Sequence, residues 1–186
     1  MGHPGRSSSL NAHVDHCPSS IALSESIPAQ QVLLRPLAIR DLSGVQDLFL
    51  ALTACQNDAF SALQENPVRV SYEMRRLRQN LLAEQRYLCF VAEHEGRLAG
   101  YAAGVVEVQA PIFKVDTYCS INEVFVQASY RRRGLGRALV TEVLAAAQAM
   151  GIGWANVHLV GDARAAEPFF ASLGFHVGAL ELRSAL

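Results

Sequence analysis

The stretch RRRGLGR, residues 131–137, decides how this chain is read. It follows an apolar run, INEVFV at 121–126, and opens a long apolar-periodic run, ALVTEVLAAAQAM at 138–150. That order predicts strand, glycine-punctuated turn and helix. Gly134 and Gly136 carry no side chain where the backbone turns tightly or approaches a ligand. Their amides fall at the N-terminus of the expected helix, where unpaired N–H groups meet the positive end of the dipole. Arg131, Arg132 and Arg133 add positive charge. The local physics points to pyrophosphate or another multiply charged anion. The same residues also fit a glycine-rich turn beneath a solvated arginine cluster.

Spacing excludes two phosphate motifs. No Lys follows the glycines, so the stretch is not G-x-x-x-x-G-K-[ST], and with two glycines it is not G-x-G-x-x-G. Composition sets wider bounds. A chain of 186 residues with 51% hydrophobic residues suits one globular domain with a sizeable core. A net charge of −1 gives no bulk field toward nucleic acid or membrane. Cys17, Cys55, Cys89 and Cys119 are widely spaced, without C-x-x-C, so reduced thiols are expected and no metal site. His13, His16 and Cys17 sit together in a segment read as a tail. Neither a signal-peptide core nor a transmembrane run is evident, which makes the cytoplasm the expected location.

Outward from the turn, the chain divides into a flexible extension at 1–30 and one domain at 31–186. QVLLRPL (31–37) reads as a strand closed by Pro36. Asp41 is placed to cap a helix carrying Leu42, Val45, Leu48, Phe49 and Leu52 at helical spacing. A second helix is expected at 68–85, with Val70, Met74, Leu77 and Leu81 on one stripe. YLCFVAEHEGRLAGYAAGVVEV (87–108) reads as a hairpin turning at Glu95-Gly96. Residues 110–118 form a connection, 154–160 a strand, 163–174 a helix closing on Gly174, and 175–183 a last strand. The order is β-α-α-β-β-β-α-β-α-β, an α/β class.

The spacing [Q/R]-x-x-G-x-[G/A], met by Arg131, Gly134 and Gly136, resembles the acyl-CoA-binding signature of the GCN5-related N-acetyltransferase (GNAT) family. VLLRPLAIRDLSGVQDLF (32–49) resembles that family's opening strand and helix, VAEHEGRLAGYA (91–102) its hairpin, and FFASLGF (169–175) its C-terminal aromatic motif. The resemblance covers roughly residues 31–183. It implies a mixed, mostly antiparallel sheet whose fourth and fifth strands splay apart. It further implies acetyl-CoA as co-substrate, its pantetheine arm paired along Val124, Phe125 and Val126. The pyrophosphate would rest on the amides of Arg132, Arg133, Gly134, Leu135, Gly136 and Arg137, with the arginines adding charge-assisted contacts. The implied reaction moves an acetyl group to a primary amine, on a small molecule or a peptide, by direct attack in a ternary complex. A homodimer is compatible with the family, although no residue here specifies one.

Such chemistry needs a neutral amine, hence a base. Glu123 is one candidate, expected by alternation to share a face with Ile121 and Phe125; a buried structural carboxylate paired with an Arg is its other reading. His158 is the second, at a fifth-strand position where some family members carry a catalytic Glu; a satisfied core imidazole is its other reading. The family's usual Tyr in the last helix is Phe170 here, so no proton donor for the leaving thiolate is identified, and Tyr118 and Tyr130 are near only in sequence. Phe170 motivates an alternative, a catalytically weak acyl-CoA sensor. Nucleic-acid binding through residues 131–133 is disfavoured by the near-neutral charge. The loops at 57–67 and 110–118 are where the acceptor is expected.

Overall fold

The computed structural model describes residues 32–56, 75, 86–108, 117–159 and 166–178. The expected extension at 1–30, the second helix at 68–85, the loops at 57–67 and 110–116, and the end of the expected last strand all lie outside the described residues, apart from the single position 75.

Strand β1 (Leu33–Pro36) leads through a 3-10 turn (Ile39–Asp41) into helix α1 (Leu42–Gln56). Asp41 immediately precedes α1, the position expected for its cap. It closes the 3-10 turn, where its Oδ2 accepts the Ala38 N–H at 2.8 Å and Arg35 donates to both carboxylate oxygens at 2.6 and 2.8 Å. That guanidinium, which also pairs with Glu93, holds the Asp41 carboxyl below its ordinary value against the opposing effect of burial. Strands β2 (Tyr87–His94) and β3 (Arg97–Val108) form the expected hairpin, with Glu95 and Gly96 both at positive φ, as a tight two-residue turn requires.

Strand β4 (Thr117–Val126) begins earlier than the apolar run suggested, since Thr117 and Tyr118 pair with Val108 and Glu107. Helix α2 (Leu135–Ala149) also starts earlier, three residues ahead of the apolar-periodic run. Strand β5 (Ala155–Val157) and helix α3 (Glu167–Ala171) are shorter than expected. Residues 175–178 carry no strand.

The sheet order is β1-β2-β3-β4-β5, antiparallel throughout except for the parallel β4–β5 pair. Each face carries its own core. On one, Val45 and Leu48 of α1 pack with Cys89, Val91, Tyr101, Ala103 and Phe125. On the other, Leu139, Val140, Val143 and Ala147 of α2, a stripe at helical spacing, pack with Ala92, Ala102, Cys119 and Ile121. The helix comes close because β3 is small-sided there. A Cβ on Gly104 would stand 2.9 Å from Val143 and 3.0 Å from the Cys119 sulfur.

The β4–β5 pairing is brief: Cys119, Ser120 and Ile121 match Ala155, Asn156 and Val157, and the pairing stops there. Strand β4 continues to Val126 against β3 alone among the described strands, so the sheet forks at its centre. A bulge marks the fork. Ala103 pairs with Glu123 and Gly104 with Ile121, which leaves Asn122 as an extra residue on β4. The bulge corrects the expected alternation. Ile121 packs on the α2 face, whereas Phe125 packs on the α1 face, and the Tyr101 bond puts the Glu123 carboxylate on that same side.

Candidate active site

The fork exposes backbone that a folded sheet ordinarily pairs. Gln127 donates its N–H to Ala99 of β3 at 2.9 Å. Because the peptide is trans, the Val126 carbonyl points the opposite way, out of β3 and into the fork. Alternation sends the main-chain groups of Val124 the same way and those of Phe125 back toward β3. Val124 and Val126 therefore supply the expected strand edge, and Phe125 contributes a buried ring instead. The Val126 carbonyl is already engaged: Arg131 donates to it from Nε at 2.9 Å while its guanidinium lies over the Phe125 ring, 5.7 Å from the centroid. Arg131 thus braces the end of β4.

From there the chain makes a 3-10 turn (Ala128–Tyr130) and enters the arginine segment. Arg132 and Gly134 both take positive φ, 61° and 81°. Gly134 suits that conformation, and for Arg132 it is uncommon, a local strain of the kind found where backbone is shaped around a ligand. Gly134 is the N-cap of α2, and the first intrahelical bond of the helix runs from Ala138 N–H to its carbonyl. The amides of Leu135, Gly136 and Arg137 precede that bond, and no side chain caps them. Gly136 sits inside the first turn of α2, where an added Cβ would meet the Phe169 ring at an ordinary 3.6 Å.

The arginines divide by role. Arg131, Arg132, Arg133 and Arg137 are all exposed. Arg137 reaches the C-terminal turn of α3, donating to the Ser172 carbonyl at 3.1 Å and to Ser172 Oγ at 2.7 Å. Its side chain therefore ties two helices together rather than standing over the turn.

Glu123 is half-buried and accepts a hydrogen bond at 2.8 Å from the phenol of Tyr101, which is wholly buried. Tyr101 was not visible as a site residue in the sequence, because the diagonal from Tyr101 to Glu123 exists only once Phe125 and Ala103 set the register. His158 falls just past the end of β5 and is exposed, so it is neither on the strand nor in the core. Phe170 is buried edge-on between Phe169 and Phe175, with centroids 4.9 and 5.5 Å away. The hydroxyl of Tyr130 lies 3.1 Å from Nδ1 of His94, itself buried at the end of β2.

The Cys89 and Cys119 thiols are not poised as nucleophiles. Burial pushes Cys119 up to about 11, and burial with the nearby charges of Glu123 and Asp41 pushes Cys89 higher still. No group of His, Cys, Asp and Glu among the described residues has the makings of a metal site, and no described helix is long and apolar enough to cross a membrane.

A model of the acetyltransferase (GNAT) family matches residues 52–175, two thirds of the chain. Solved structures share the fold. A GCN5-related N-acetyltransferase from Ralstonia eutropha is 23% identical, with 83% of this chain and 98% of that one covered and a TM-score of 0.62. An acetyltransferase from Trypanosoma brucei is also 23% identical over 83% and 99%, with a TM-score of 0.60. A predicted acetyltransferase from Clostridium acetobutylicum, solved with acetyl-CoA, is 17% identical over 82% and 96%, with a TM-score of 0.67. No curated protein matches.

Proposed function

Because the chain belongs to the acetyltransferase (GNAT) family, we propose that it transfers an acetyl group from acetyl-CoA to a primary amine by direct attack in a ternary complex. The observation that carries this reading is the fork. Strand β4 leaves the main chain of Val124 and Val126 directed away from β3 where β5 ends, beside a helix N-terminus with uncapped amides. An extended amide-bearing arm fits the first feature by strand addition, and a pyrophosphate fits the second.

Acetyl-CoA supplies the acetyl group and a thiol leaving group. The chain's own residues do the rest. The amides from Arg132 to Arg137 hold the diphosphate, with Arg132 and Arg133 adding charge-assisted contacts. Val124 and Val126 align the arm, and the Val126 N–H, directed into the fork, polarises the acyl carbonyl. Glu123 is the base we favour, since it stands on the strand that aligns the donor and its carboxylate is held by Tyr101. His158 is the second candidate. The amine nitrogen bonds to the acyl carbon, the C–S bond breaks, and the amine proton passes to the base. Phe170 cannot donate a proton, so the thiolate leaves to solvent.

The buried position of Phe170 also bears on the alternative reading, a weak acyl-CoA sensor. One experiment separates the two: release of CoA thiol from acetyl-CoA across polyamines, aminoglycosides, amino acids and peptides. An enzyme gives amine-dependent thiol release well above buffer with at least one class. Tight CoA binding with no release from any of them sinks the enzymatic reading in favour of the sensor.

A further inference from the structure

Resting on the reading of Glu123 as base, we infer that Tyr101 is a positioning residue that fixes one carboxylate oxygen of Glu123 and keeps the group charged at working pH. The argument starts from where the two residues stand. Tyr101 lies in the middle of β3, fully buried, opposite its register partner Phe125 of β4. Its phenol nevertheless ends on Oε2 of Glu123 at 2.8 Å, across the sheet diagonal opened by the Asn122 bulge. A regular strand would put Glu123 on the face that Ile121 occupies. The bulge instead turns it to the α1 face, where the Tyr101 phenol meets it.

The described residues packed on that face are mostly apolar. Helix α1 presents Val45 and Leu48, and the sheet presents Val91, Ala103 and Phe125. A carboxylate there loses hydration, which favours its neutral form, and a neutral carboxyl neither accepts a proton nor attracts an ammonium. A hydrogen bond donated to the charged form opposes that loss. Among the described residues, the other titratable groups on this face are Tyr87 and Cys89 of β2 and, farther off, Asp41, which is paired with Arg35. Burial and the neighbouring Glu123 charge push the Tyr101 phenol upward, so it remains a donor throughout the range in which an acetyltransferase is assayed. The arrangement gives Tyr101 one function that a packing residue lacks: it donates a hydrogen bond that favours the charged form of Glu123.

The test is the pH dependence of kcat/KM with a saturating amine found by the thiol-release screen, in wild type, Tyr101→Phe and Glu123→Gln. Glu123→Gln removes the acid limb. Tyr101→Phe keeps the ring and moves that limb upward by about half to one pH unit, with KM for acetyl-CoA unchanged. Replacing Tyr101 by 3-fluorotyrosine, a stronger donor of nearly the same size, moves the limb downward, and this arm decides the matter if the Phe variant fails to fold. A limb absent in Glu123→Gln but unmoved by both changes at position 101 overturns the inference while leaving Glu123 as base. A limb that survives Glu123→Gln overturns the reading of Glu123 as base, and the inference with it.

Discussion

Arg132 and Arg137 are both exposed and stand five residues apart, yet the structure gives them different work. Arg137 is held by Ser172 through two hydrogen bonds, whereas Arg132 sits at positive φ at the head of the turn. Replacing Arg137 by Ala should cost under about 1 kcal/mol of stability, because its bonds are solvent-exposed, and should leave acetyl-CoA affinity nearly intact. Replacing Arg132 by Ala should weaken that affinity by about three- to tenfold and flatten its salt dependence, with little change in melting temperature. Titrations at two salt concentrations separate them, and a larger loss of affinity in the Arg137 variant would reverse the assignment. The sequence put all four arginines in one group. What it lacked was the position of Ser172, which only the packing of α3 against α2 supplies.

At the scale of elements, the turn into α2 and the β2–β3 hairpin were legible and the fork's fine structure was not. Glycine spacing located the turn because positive φ and a bare helix N-terminus are local demands, met by Gly134 at 81°. The helix began at Leu135 rather than Ala138, since its first turn is built from the motif itself and carries no apolar periodicity. The Asn122 bulge was invisible: no residue type demands it, and it changes which face Glu123 takes. Close approach at the fork depends on Gly100, where a Cβ would lie 2.6 Å from the Phe125 carbonyl oxygen and 3.2 Å from the Val126 Cα. Those are backbone atoms and cannot swing aside. Gly100→Ala should therefore destabilise the chain by about 1–3 kcal/mol. Gly136→Ala, which gains a helix-favouring side chain at ordinary contact with Phe169, should fall between neutral and about 1 kcal/mol stabilising. Urea melts of the pair check this; equal midpoints would contradict the account of the fork.

For the molecule as a whole, two cores on opposite faces of one sheet hold the fork in place. The core beside α1 fixes Tyr101 and Phe125, and the core beside α2 fixes the helix whose N-terminus faces the fork. The fold class followed from four short motifs because each encodes backbone geometry, and the proposed donor site rests on the same motifs. The acceptor did not, since its expected loops at 57–67 and 110–118 contain acids of the sort any solvated loop carries and fall almost wholly outside the described residues. The donor site is accordingly the central claim. Calorimetric titration of acetyl-CoA into the full chain tests it most directly. The account predicts saturable binding at one site per chain, competed by CoA and weakened as salt rises; absence of binding up to about 1 mM acetyl-CoA would contradict it.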